Sequence, residues 1–167
     1  NHAYNMTHTQ NAVSFEVALM DGLLCVDEGK KSVLVGAADE AIPFLERLRG
    51  SLIQTDFPFT SGASFGVISS DKNQSIAHVQ GCEVIFSDEN PEQIVSAFLK
   101  KQAIQLTDLD LILEGNNTFV AAGPKHVNFL AHSGFYQSAS AFAFHLAHDW
   151  FIEHPSAKKV LIVNNLE

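Results

Sequence analysis

The tightest constraint on this chain is a helical period that passes directly into a buried strand. From Asn11 to about Glu28, the apolar residues Phe15, Ala18, Leu19, Leu23 and Val26 recur at three- and four-residue steps, with Asn11 or Ser14 available as a cap. Gly29 ends that helix. After Lys30-Lys31, the run Ser32-Val33-Leu34-Val35-Gly36-Ala37 reads as a short strand covered on both faces. A helix and strand so joined must build layers, because each buries an apolar surface only against another element.

The rest of the chain repeats the alternation. Ile42, Leu45, Leu48 and Leu52 suggest a helical turn or two between Asp39 and Ser61, before Pro58 and Gly62 break the pattern. Ala63 to Ser69 and Ala77 to Phe86 read as two strands of a hairpin, joined by the polar turn Ser70-Asp71-Lys72-Asn73-Gln74. Pro91 sits at a first helical position, and Ile94, Val95, Phe98 and Leu99 form the inward stripe of a helix to about Gln102. Leu109 to Leu113 is a buried strand. Tyr136 to Ile152 is a helix carrying Ala139, Phe142, Ala143, Leu146 and Trp150, and Val160 to Val163 is a third buried run. The fold class is therefore α/β, a layered architecture with a mixed sheet, in a single domain over residues 1–167.

Composition narrows the function classes. The chain is 46% hydrophobic and 17% charged, the profile of a packed globular protein. A net charge of −9 argues against nucleic-acid and anionic-lipid partners, and the basic pairs Lys30-Lys31, Lys100-Lys101 and Lys158-Lys159 are read as solvated caps. Apolar stretches are too interrupted for a membrane span, and no signal segment opens the chain. The two cysteines, Cys25 and Cys82, form no short-spaced motif and suit a reducing cytoplasm; each reads as a small buried hydrophobe, Cys25 in the first helix and Cys82 in a strand.

Several stretches together resemble the β-ketoacyl synthase family of the thiolase superfamily. Ser14-Phe15-Glu16-Val17-Ala18-Leu19 through Gly29, with Val33-Leu34-Val35-Gly36-Ala37-Ala38-Asp39, is similar to the segment after that family's catalytic cysteine. Gly62-Ala63-Ser64-Phe65-Gly66-Val67 resembles the entry to its next strand, and Leu109 through Thr118 resembles the strand and loop carrying its first catalytic histidine. Gly134-Phe135-Tyr136-Gln137-Ser138-Ala139-Ser140-Ala141 resembles the Gly-His segment opening its last long helix, and Val160-Leu161-Ile162-Val163-Asn164 the strand after that. The succession covers nearly the whole chain. It looks closest to the short, divergent branch associated with aryl-polyene and flexirubin-type pigment pathways, in which one subunit condenses and a sister shapes the pocket.

The resemblance implies a thiolase-like layered fold, incomplete at its N-terminal part and its C-terminal Gly-rich loop, and a place in fatty-acid or polyketide-type biosynthesis. It also implies three degenerate positions. Ala12 stands where relatives carry the nucleophilic cysteine, Asn116 at the first histidine and Phe135 at the second. Condensation needs a thiolate to carry the acyl chain and donors to stabilise the enolate and oxyanion; Asn116 could still donate a hydrogen bond and Phe135 offers only surface, so the loss of all three groups together is hard to reconcile with condensation. The implied role is a non-catalytic, chain-length-factor-like subunit, with acyl carrier protein and a condensing synthase as partners, in a homo- or heterodimer, without cofactor or metal. Ser14 and His132 remain as possible pocket residues; capping explains the first and an ordinary loop histidine the second. His145, His148 and Asp149 have helical spacing but no third convergent ligand, which favours a partly exposed face over a metal site. His2 and His8 lie in a polar stretch, Asn1 to Gln10, that reads either as part of a dimer contact or as a tail. The rival readings are an active acyltransferase with an unrecognised nucleophile and a thiolase-fold remnant with a binding or structural use.

Overall fold

The computed structural model describes residues 4–50, 55–115 and 123–165, with the side chains of residues 45, 46, 49, 50 and 74 left out. A single 3₁₀ turn, Asn11–Val13, feeds helix α1, Ser14–Asp27. Strand β1, Ser32–Asp39, follows; then come α2, Pro43–Gly50, and β2, Gly62–Ser69. The second half contains α3, Pro91–Lys101; β3, Leu111–Glu114; β4, Lys125–Asn128; α4, Leu130–Ser133; α5, Ser140–Glu153; and β5, Val160–Val163.

These elements form two sheets with helices between them. β1 pairs antiparallel with β2, Val33 opposite Ile68, Val35 opposite Gly66 and Ala37 opposite Ser64. β4, β3 and β5 form a parallel sheet with β3 at its centre. All four β3 residues are buried, and alternation divides them: Leu111 and Leu113 cluster with Ala143 and Ala147 of α5 and with Ala139 just before it, while Ile112 clusters with Val95 and Leu99 of α3. On its other side α5 meets α1, where Phe15 and Phe144 lie edge to face with centroids 5.1 Å apart, and Phe15, Leu19, Val35 and Ala141 close a third cluster. The order of layers is α3, parallel sheet, α5 with α1, then the β1–β2 sheet. A helix clad on two sides needs apolar residues on both, and α5 uses alanines to let both layers approach.

The structure corrects several expectations. The chain has two separate sheets among the described residues, one parallel and one antiparallel, in place of a single mixed one. β1 is covered on one face alone: Val33, Val35 and Ala37 pack toward α1, while Leu34 is 69% exposed beside Phe65 and Val67 of β2. The hairpin of 63–69 with 77–86 does not form. β2 pairs with β1 across residues 40–61, and 77–86 contains no strand, so Cys82 lies outside any strand. β1 offers β2 a shared buried face against α1, whereas Ile76, Ile85 and Phe86 of the later segment are exposed and reward no such pairing. α2 leaves Ile42 just before it, Phe44 and Leu48 exposed. The last long helix begins at Ser140 instead of Tyr136, because Ser138 and the residues before it are held by contacts of their own.

Candidate functional site

The start of α1 meets the end of the parallel sheet. The 3₁₀ turn carries Asn11 at φ +52°, a left-handed conformation that asparagine adopts more readily than most residues. Ala12 packs against the cluster of Leu113, Phe129, Leu130 and Phe135, and its carbonyl accepts from Asn164 Nδ2 at 2.6 Å, beyond the end of β5. A methyl group therefore occupies the approach to α1. Neither Asn11 nor Ser14 caps it: Val13 is the N-cap residue, and Ser14 Oγ donates to Asn11 O at 2.7 Å and accepts from Gln10 N at 2.8 Å. With both functions engaged locally and no base beside it, Ser14 has nothing to activate it as a nucleophile.

Phe135 belongs to the same cluster. Gly134, at φ +70° and ψ −175°, turns the chain out of α4 so that Phe135 runs beside Phe59. Phe135 N donates to Pro58 O at 2.8 Å, and Thr60 N donates to Phe135 O at 2.9 Å. The ring meets Phe59 edge to face at 5.4 Å and is 4% exposed. Of the positions singled out in sequence, the fold brings Ala12 and Phe135 into one apolar cluster. Asn116 lies outside the described residues, one position beyond Gly115. His132 is in the last turn of α4 and exposed, away from that cluster.

Neither thiol lies at the start of α1 as a reactive nucleophile. Cys25 is buried in the C-terminal half of α1, far along the helix from Ala12. Cys82 lies nearer the first turn but beside the helix: its Sγ donates to Glu16 O at 3.8 Å, and burial, followed by the nearby Glu16 and Glu83 carboxyls, pushes its pKa up to about 12. A thiol so placed stays protonated. In native protein at about pH 8, Cys82 should resist iodoacetamide and react once urea unfolds the chain, with labelling followed by peptide mass spectrometry. Rapid native alkylation would show that its sulfur is accessible and ionised.

Some polar contacts had no marker in the sequence. Asp39 Oδ2, at the end of β1, accepts from Ser138 N at 2.8 Å and from the Ser138 hydroxyl, joining positions 99 residues apart. Tyr136 packs over Gly62, and burial raises its phenol pKa against a lowering hydrogen bond with Ser64. Ala38, Asp39, Glu40, Ser61, Gly62 and Ala63 line a shallow, open cleft of about 430 Å³. Its two acids face no cationic partner in the ion pairs of the described residues. An acid after a buried strand is ordinary in sequence; what makes Asp39 a structural joint is a partner that only folding supplies.

His148 Nδ1 lies 2.9 Å from Asp149 Oδ1 on the outer side of α5, with His145 exposed. Among the described residues no group of three histidine, cysteine or acidic side chains converges as a metal site. At the N-terminal stretch, Tyr4 Oη donates to Asp21 and His8 Nε2 lies 3.4 Å from the same carboxylate, so that stretch is tied across α1. His2 lies outside the described residues. No described helix is long and apolar enough to cross a membrane. Comparison of the chain with protein-family models, curated proteins and solved structures finds no match. Within the described residues, the arrangement around Ala12 and Phe135 is apolar packing and carries no activated nucleophile.

Proposed function

We propose that this chain is a non-catalytic, β-ketoacyl synthase-like subunit with a thiolase-like layered fold, which pairs in the cytoplasm with a condensing synthase and helps shape the pocket for an acyl chain delivered by an acyl carrier protein. The observation that carries the reading is the meeting of Ala12 and Phe135 in one apolar cluster, at the entry to a helix lying between two sheets. An alanine cannot be acylated, and a phenyl ring donates no hydrogen bond to a developing oxyanion. What remains is apolar packing, suited to supporting the walls of a hydrocarbon pocket from behind. The exposed outer face of the β1–β2 sheet, with Leu34, Phe65 and Val67, adds apolar area of the kind that partner contacts use.

The test mixes the full chain with a condensing synthase and an acyl-loaded carrier protein. A stable complex on size exclusion, no acyl adduct on this chain by mass spectrometry, and a changed product-length distribution are the expected results. A chain that stays monomeric at micromolar concentration and ignores both partners would overturn the proposal, and so would an acyl group attached to any of its residues.

A further inference from the structure

The first turn of α1 contains a carboxyl that the site around Ala12 does not use. Glu16 projects toward the start of α5 and the segment after β5, where its Oε1 accepts from Asn164 Nδ2 at 2.8 Å. The same amide donates to Ala12 O, so one asparagine holds both the carboxyl and the backbone entering the helix. Glu16 Oε2 is buried and makes no well-formed hydrogen bond. Ser140, the first residue of α5, is fully buried, and its hydroxyl also lacks a well-formed bond, although it lies close enough to draw the Glu16 pKa downward.

We propose that Glu16 is a proton-operated clasp: as a neutral carboxylic acid it ties the start of α1 to Ser140 of α5 and Asn164 beyond β5, and loss of its proton loosens that joint. Oε1 accepts from Asn164, and buried Oε2 has the Ser140 hydroxyl beside it. That hydroxyl can bond to either form of the carboxyl, but a neutral hydroxyl and a neutral amide leave the full charge of an ionised Glu16 buried without a cation.

Charge points the same way. Burial raises the Glu16 pKa more than its hydrogen bonds with Ser140, its own backbone and Asn164 lower it. The neighbouring titratable groups bring no compensating cation. Cys82 faces it as a protonated thiol, Glu83 beside that is paired with Lys101, and the groups contributed by α5 and the segment after β5, Ser140 and Asn164, are neutral. No lysine, arginine or histidine forms an ion pair with Glu16 among the described residues. The start of α1 favours negative charge through its dipole, and desolvation acts against it.

The linkage sign follows. A carboxyl whose folded pKa is raised holds its proton longer in the folded state than in the unfolded one. Its contribution is greatest below the unfolded glutamate pKa and diminishes as pH rises through the folded value. Glu16→Gln reproduces the neutral acid's shape, with an acceptor for Asn164 and a donor for Ser140.

Thermal midpoints of the full chain and of Glu16→Gln, measured from about pH 4 to 9, test the clasp. The two should agree at the acid end. The variant should gain on the wild type as pH rises, until its midpoint stands roughly 3 °C or more higher. Infrared difference spectra of the wild type against the variant, followed through the pH range in which free glutamate side chains titrate, should show a protonated-carboxyl stretch that persists in the wild type after the other glutamates have ionised. A pH-independent gap, or a variant that loses ground as pH rises, would overturn the proposal. Should the variant fail to fold, the wild-type spectrum decides: the protonated-carboxyl band across the pH range in which the free side chain titrates supports the clasp, and its absence refutes it.

Discussion

Replacing Phe135 with alanine should lower the unfolding free energy by about 3–5 kcal/mol, read as a fall in the urea midpoint at an unchanged m-value. The ring is 4% exposed and packs with Phe59, Leu113, Phe129, Leu130 and Tyr136, and Ala12 borders the same cluster. Removing it costs the transfer of a large aromatic group and leaves a cavity where two segments meet. Collapse is restrained, because the backbone on either side is fixed by the Phe135 N to Pro58 O and Thr60 N to Phe135 O bonds. Phe135→Leu should lose much less, since it keeps most of the volume. A loss below about 1 kcal/mol for the alanine variant would mean that the ring is not part of the core.

The second large effect lies one residue earlier. Gly134→Ala should cost about 3 kcal/mol or more, combining roughly 1–3 kcal/mol for a backbone conformation open mainly to glycine with roughly 1–3 kcal/mol for overpacking. At φ +70° and ψ −175° an L side chain is strained even in open space. The space here is not open: a methyl on Gly134 would overlap the Thr60 side chain and stand 3.0 Å from Pro58 O. Thr60 cannot simply swing aside, because its Oγ1 donates to Ser133 O at 2.8 Å. Gly29→Ala provides the contrast, with a left-handed φ of +97° but nothing within 4 Å, so it should carry the backbone cost without the collision. Equal losses at the two glycines, measured by chemical denaturation, would remove the packing part of the explanation.

These two positions show how far the chain could be read in advance. Gly134-Phe135 stood out in the sequence, yet nothing there showed that the glycine serves a contact with residues 58–60. Strand β3 was legible, because Leu109 and Leu111 to Leu113 are apolar with Asp110 as the one interruption, and the structure buries every residue of Leu111–Glu114. α3 was equally plain: Asn90 accepts from Glu92 N at the cap, Pro91 opens the helix, and Val95 and Leu99 face inward. The short strand β4, Lys125–Asn128, was missed, since Lys125, His126 and Asn128 break any apolar run and only Val127 packs against the core cluster. Glu16 was read as one more residue of a helix. Its burial depends on Ser140 and Asn164, over a hundred residues away, and no period reports that.

Local order is what the amino-acid chain carries by itself. Period placed α1, period with Pro91 placed α3, and apolar runs placed β1, β3 and β5 within a few residues of their observed bounds, because each depends on side chains within a turn or two of one another. The identity of residue 12 as an alanine is likewise settled by covalent structure, whatever the fold. Partnership was decided only in three dimensions. Whether residues 62–69 joined 32–39 or 77–86, and whether Ala12 met Phe135, turned on which distant faces could be buried together at an acceptable loop-closure cost. That comparison involves the whole chain at once, and a local pattern contains no term for it.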